Sequence, residues 1–299
     1  MIPYNQSSIS SVQVGKTRID AFASEDNIDI DTVESFGAEW SAFHTFNEDE
    51  IYNAGDNYFD IIPTNILNKT TNALDVGCGT GRWSYYLADK VGFIECIDPS
   101  KAVIAASNLL RNKNNIRISK ASVDNIPFAD ATFDLVFSLG VLHHVPDTKK
   151  AIGKCVDKLK PNGHILLYLY YNLENRGLFF KTLFYLSNSI RWIVSKFPGF
   201  IKIFVCNLLA IFFYMPFVWL SRILIQLKIS SKVVSRIPLS WYADKSFHII
   251  RNDSLDRFGT PLEQRFSKQQ IADMLVSAGC TNIVFADNAP FWRVIAQRK

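Results

Sequence analysis

Residues 74–81 read LDVGCGTG, a carboxylate (Asp75) followed by three alternating glycines, Gly77, Gly79 and Gly81. Glycine lets a backbone turn tightly and lets a ligand approach the main chain, so the run reads as a cradle. Its GxGxG spacing differs from the GxGxxG of pyrophosphate-binding turns, which weakens a dinucleotide reading. A second carboxylate, Asp98, ends the stretch CID, where a strand-end acid can accept the two hydroxyls of a ribose. His143 and His144, in SLGVLHH, are candidate general bases, a role commonly worth about 10²–10⁴ in rate. The other reading of this pair is a turn cap and a packing residue. His248, in SFHIIRND, is a rival base, whereas His44 and His164 read as structural. Arg251, Arg257 and Arg265 lie in a segment dense in paired charge. Guanidinium forks recognise phosphate and carboxylate, so this segment either meets a polar head group or is a salt-bridged return loop.

These residues need elements to hold them, and the chain supplies an alternation. NALDVG, GFIECID, IRISKA, FDLVFSLG and HILLYLYY read as strands; RWSYYLADKV, SKAVIAASNLLRNK and KKAIGKCVDKLK read as the helices among them. Such alternation implies right-handed βαβ units and a parallel sheet covered on both faces. The pattern stops near Asn172 and resumes near Phe266 with the helix SKQQIADMLVSAG and the strands TNIVFAD and FWRVIAQRK. The expected fold is α/β and Rossmann-like: a doubly wound, seven-stranded, mostly parallel sheet, with a large helical insertion before the last helix and two strands. The expected parts are a mobile lead-in (1–32), N-terminal helices (33–68), a ligand-binding core (69–171), a hydrophobic basic insertion (172–265) and a closing helix and strand pair (266–299). The helices of the second part follow from the spacing of Phe36, Trp40, Phe43 and Phe46.

The strand, glycine triplet, helix, second strand and terminal Asp together resemble the class I S-adenosylmethionine-dependent methyltransferases, nearest the ubiquinone and menaquinone branch. The likeness covers about Ala73 to Tyr168 and extends to the last helix and strands. It implies S-adenosyl-L-methionine as cofactor, its methionine end held by Asp75 and the backbone of Gly77, Cys78, Gly79 and Gly81, its ribose by Asp98. It also implies that Ser122 and Val123 enclose adenine and that the run containing Ser138 floors the active site. Where the family commonly has an Asp facing the adenine amine, this chain has Ser122, with Asp124 two residues on. Phe36 or Trp40 either closes over the cofactor or packs on the sheet.

Composition narrows the acceptor. There is no Pro-Pro-aromatic run after the fourth strand and no Pro-Cys dipeptide, which removes the commonest nucleic-acid methylation motifs. The net charge of +4 hides an asymmetry: residues 175–243 hold nine Lys or Arg and no Asp or Glu. Those cations are interleaved with Leu, Ile and Phe, a poor nucleic-acid groove. The five cysteines are scattered and odd in number, and no metal site is expected. Ile203–Ser221 runs nineteen residues without a charge. A single span would divide one sheet between two sides of a membrane, so the run is either buried against neighbouring helices or dipped into an anionic lipid surface. The charged segment, FGAEW and YLYYNLENR are faintly similar to methyltransferases of bacterial surface glycan synthesis. The expected activity is O-methylation of a saccharide or lipid-linked saccharide, in the cytoplasm or at the inner membrane face. An isoprenoid quinone precursor is the alternative acceptor, and a non-catalytic cofactor-binding scaffold the alternative class.

Overall fold

The computed structural model describes the chain except Glu25, residues 43–46, residues 175–176, Ala289 and Phe291; the side chains of residues 38–42 and of Phe179 are also outside the description. Phe43, His44, Phe46 and the Trp40 side chain therefore lie outside the described residues. The chain divides into two compact units, Met1–Glu174 with Leu262–Lys299, and Asn175–Pro261.

The first unit is built on a nine-stranded sheet of order β1-β2-β5-β4-β3-β6-β7-β9-β8. Its strands are β1 (Ser10–Val14), β2 (Thr17–Ala21), β3 (Asn72–Val76), β4 (Phe93–Ile97), β5 (Ile116–Lys120), β6 (Phe133–Leu139), β7 (Leu159–Tyr168), β8 (Cys280–Phe285) and β9 (Arg293–Arg298). From β2 to β7 all neighbours are parallel, while β1 and β9 run antiparallel to theirs. The central strands β3 and β6 are buried on both faces, as expected of parallel strands covered by helices above and below. Those helices are α1 (Ile30–Ala42), α2 (Glu48–Tyr58), α3 (Arg82–Ala88), α4 (Ala102–Leu109), α5 (Thr148–Asp157) and α11 (Lys268–Ser277). The chain steps from β3 outward to β4 and β5, then returns past β3 to β6. This reversal makes the carboxyl ends of β3 and β6 the topological switch point, the place where open α/β sheets take ligands.

Seven strands match the sequence expectation; the other two correct it. Residues 1–32, expected to be a mobile lead-in, include the β1-β2 hairpin, and β2 joins the sheet with Asp20 beside Ser119 and Ala21 beside Lys120. Burial explains this: Ile19 and Phe22 enter the core, and the Tyr4 hydroxyl bonds Ser119 Oγ at 2.8 Å. Arg117 lies over the Tyr4 ring and forks onto the fully buried Glu95 at 2.7 and 2.8 Å. Further along, Asn27 exchanges two hydrogen bonds with the backbone of Asp147, at 2.9 and 2.7 Å.

The second unit is helical, with α6 (Leu178–Val194), α7 (Gly199–Leu209), α8 (Met215–Gln226), a short α9 (Ser231–Val234) and α10 (Phe247–Gly259). A π-turn over Ala210–Tyr214 joins α7 and α8 into one continuous helix. Pro216 follows it, and the missing proline N–H accounts for the wider turn. Polar ties hold α10 to its neighbours: the Tyr214 hydroxyl donates to Asp253 at 2.9 Å, Ser254 to the Cys206 carbonyl at 2.7 Å and Arg251 to Asn207 at 2.9 Å. Gly199–Gln226 is long and apolar enough to cross a membrane by length and composition alone.

In the first unit, the fully buried Arg293 of β9 holds the end of α2 by the Asn57 carbonyl and by Asp60 at 2.5 Å. It also bonds the Asn288 side chain at 2.5 Å. Arg293→Met removes these charge-assisted bonds without emptying the volume. Chemical denaturation should show a loss of roughly 2–4 kcal/mol.

Candidate functional site

The loop after β3 is held by the end of β4. The N–H groups of Gly77 and Cys78 both donate to the Ile97 carbonyl, at 2.8 and 3.0 Å. Asp98 then closes the turn: its Oδ2 accepts from the Gly79 N–H at 2.9 Å, and its Oδ1 from the N–H and hydroxyl of Ser100 at 2.8 and 2.6 Å. Gly77, Gly79 and Gly81 have φ of 78°, 53° and 82°, the left-handed region that favours glycine. At Gly77 space matters as well, because a Cβ would lie 2.4 Å from the Val141 side chain of the loop after β6.

Asp75 sits beneath this loop, 1% exposed, and accepts from the Ser84 hydroxyl of α3 at 2.7 Å. The Cys96 thiol lies 3.0 Å from that same hydroxyl. Burial raises the Asp75 carboxyl to about 7; the Ser84 bond opposes the rise and the charge of Asp98 adds to it. Ser84 and Ser100 escaped the sequence reading, although each lies close in the chain to the carboxylate it serves.

Ser122 and Val123 are buried after β5, and the Ser122 hydroxyl bonds the Asp124 carboxylate. The serine found in place of the usual acid is thus joined to the acid two residues on. Ser138 is placed differently: its hydroxyl donates to the Val76 carbonyl at 2.8 Å, fastening β6 to β3 inside the sheet.

The turn after β6 carries the two histidines. His143 is fully buried and stacks on Tyr170 at 3.8 Å, with neither ring nitrogen hydrogen-bonded among the described residues. Burial pushes it well below the ordinary imidazole value, helped by the charges of His144 and Arg265. His144 lies 4.0 Å from that ring and 2.7 Å, through Nδ1, from the Leu262 carbonyl. A carbonyl only accepts, so Nδ1 carries the hydrogen and in the neutral ring Nε2 carries the lone pair. The return segment braces this turn, the Gln264 N–H donating to the His143 carbonyl at 2.9 Å and its side chain to the Val145 carbonyl at 2.6 Å.

From the histidines an arc of rings continues along the carboxyl edge of the sheet. Tyr170 meets Tyr168 at 5.7 Å, Tyr168 meets Tyr58 at 5.3 Å and Tyr58 meets Trp83 at 4.7 Å. On the other side Phe36 meets His144 edge-on at 4.9 Å. The tyrosine pair was readable in HILLYLYY, since positions i and i+2 of a strand share a face; Tyr58 and Trp83 carried no such signal.

Arg265 bonds Glu263 at 2.8 Å and lies 5.0 Å over the Tyr170 ring, beside the arc. Arg251 and Arg257 belong to the helical unit and are engaged there, Arg257 with Ser187 at 2.8 Å. His248 is also in that unit, near the start of α10. The five cysteines are free and buried, and no cluster of metal-ligating side chains occurs among the described residues.

Residues 74–167 match the family described as "Methyltransferase domain". The sheet unit contains a class I S-adenosylmethionine-dependent methyltransferase domain. The methyltransferase core has relatives among curated proteins. A tRNA U34 carboxymethyltransferase of Nautilia profundicola is 31% identical over 112 residues, 36% of this chain and 37% of that protein. The tocopherol O-methyltransferase of Arabidopsis thaliana is 37% identical over 107 residues, 33% of this chain and 30% of that protein. The chain spans less than two thirds of the length of either. A chain of the complex between the Trm112 methyltransferase activator of Haloferax volcanii and its candidate methyltransferase shares the fold, with a TM-score of 0.50 at 13% identity, over 88% of this chain and 97% of that one. The cofactor of the methyltransferase core is S-adenosyl-L-methionine.

Between the ordinary carboxylate range and about 7, folded Asp75 keeps a proton that the unfolded chain has released. Its contribution to stability is therefore present in acid and lost as the pH rises through about 7. Asp75→Asn should melt higher than the parent near pH ~8, and the gap should close by pH ~4. A pH series of thermal melts measures this.

Proposed function

We propose that this protein transfers the methyl group of S-adenosyl-L-methionine to a hydroxyl of a small ring-shaped acceptor, a saccharide or lipid-linked saccharide. One observation carries the reading: His144, its tautomer fixed by the Leu262 carbonyl, meets the aromatic arc at Tyr170, and the loop that carries it packs through Val141 on Gly77 of the glycine turn.

The residues present fit the cofactor. Asp98 uses three of its roughly four lone-pair sites internally and keeps capacity for a sugar hydroxyl. The positive-φ glycines leave the main chain bare for close approach. Asp75, Gly77, Cys78, Gly79 and Gly81 are proposed for the methionine end, Asp98 for the ribose, and Ser122 and Val123 for adenine. Ser138 serves through its backbone, its hydroxyl being committed to Val76. When bound, S-adenosyl-L-methionine supplies an electrophilic methyl on an excellent leaving group. What remains for the protein is alignment, water exclusion and removal of one proton. Alignment can contribute about 7–11 kcal/mol. The arc would orient the acceptor ring by its faces, and His144 Nε2 would take the hydroxyl proton. Neutral His143 would back it without competing for that proton.

The saccharide reading draws on the Arg265 guanidinium, which is partly exposed beside the Tyr170 ring and held by the buried Glu263 side chain, and whose N–H groups suit hydroxyls. Arg251 and Arg257 lie in the helical unit, whereas Arg265, itself paired with Glu263, lies over Tyr170 of the arc and is the arginine proposed for the acceptor. The aromatic faces favour a second reading, an isoprenoid quinone precursor. A cytoplasmic protein working at a membrane face suits either.

Methyl-labelled cofactor and an extract of the source cells, split into lipid and aqueous phases, separate the readings. Lipid label released by mild acid is expected for a glycosyl phosphate. Acid-stable lipid label would indicate the quinone, and aqueous label a soluble sugar. Binding without turnover of any acceptor would leave a scaffold and overturn the proposal. His144→Gln should lower kcat about 10²-fold with unchanged S-adenosylhomocysteine affinity. Asp98→Ala should weaken that affinity about 10–100-fold in calorimetry.

A further inference from the structure

The continuous α7–α8 helix buries a narrow, mixed stripe on the inside and is apolar on the outside. Its buried stripe is Lys202, Cys206, Ala210, Tyr214, Val218 and Ser221, spaced three or four residues apart. On that side lie its bonds to α10, through Tyr214, Asn207 and the Cys206 carbonyl. Its outward residues include Phe200 at 76% exposure, Phe204 at 62%, Phe212 at 75% and Trp219 at 53%. Ile211 and Ile223 are exposed as well. A helix facing water carries the opposite pattern.

We propose that this outer face lies in the surface of an anionic lipid bilayer. The charges around it argue for that occupant. Lys196 precedes the helix, Lys228, Lys232 and Arg236 follow it, and all four are exposed. Residues 175–243 contain no acid to neutralise them. A second copy would bring like charges together, whereas an anionic leaflet pairs each of them. Trp192, Trp219 and Trp241 are each more than half exposed, and tryptophan favours the boundary between headgroups and acyl chains. The Lys196 ammonium sits 3.5 Å over the Trp192 ring, an apolar body with a charged tip. Only one side of the helix is free for lipid, since the other is buried and bonded to Asp253 and Arg251 of α10. The helix therefore lies along the surface and does not cross it. This inference holds for any acceptor.

Flotation of the full chain with vesicles of phosphatidylcholine, alone or with about 30% phosphatidylglycerol, tests it. The protein should float with the anionic vesicles. Phe204→Glu with Phe212→Glu should reduce the floated fraction at least about tenfold. Lys228→Glu with Lys232→Glu and Arg236→Glu should abolish the preference for anionic lipid. Retained S-adenosylhomocysteine binding would show that each variant is folded. Failure of the parent to float, or unchanged flotation of the phenylalanine variant, would overturn the proposal. So would a concentration-dependent dimer, seen by light scattering, that the phenylalanine changes dissolve while vesicles are ignored; that result would assign the face to a second copy.

Discussion

The Asp98 carboxylate is the constraint on which the rest of the site depends. One of its oxygens fixes Gly79 in the loop after β3, and the other fixes Ser100 at the start of the next crossover. A single side chain thereby sets the distance between two parallel strand ends. Gly77 can then approach Val141 closely enough that no Cβ would fit, which brings the loops after β3 and β6 together. Asp75 is enclosed as a result, and its carboxyl is held near neutrality by burial. Loop geometry, close packing and an unusual ionisation thus have one origin.

The same edge of the sheet is built from distant parts of the chain. Tyr58 arrives from α2, Trp83 from α3, the histidines from the turn after β6, and Tyr168 and Tyr170 from β7 and its extension. Arg293 steadies the end of α2 that carries Tyr58. Rings from four elements share contacts, so displacing one moves its neighbours.

Local signals made much of this legible in the sequence. Alternating apolar strands and amphipathic helices gave the fold class, and the glycine spacing with two acids gave the cradle. What stayed hidden rests on contacts between distant residues. The β1-β2 hairpin is largely solvated, and what holds it is pairing with β5 and the reach of Tyr4 to Ser119, 115 residues away. His144 was visible, but its partner Leu262 lies 118 residues on, beyond the whole insertion. Arginine type was readable at 251, 257 and 265, while direction was not: two of the three bond within the expected helical insertion to partners 44 and 70 residues away in the chain. Ser138 shows the converse, a residue in a suggestive motif whose hydroxyl serves the sheet.

The strands of backbone where the helical unit departs and returns lie side by side. Asn172 N–H donates to the Phe266 carbonyl at 3.1 Å, Phe266 N–H to the Tyr170 carbonyl at 2.9 Å, and Lys268 N–H to Glu174 at 2.7 Å. The sheet unit thus closes its own stem, and the length of what hangs from it adds little to the entropy of closure. Over evolutionary time, such a stem lets a lineage exchange one appended module for another without retuning the sheet. Diversity among proteins sharing this core should then concentrate beyond the stem.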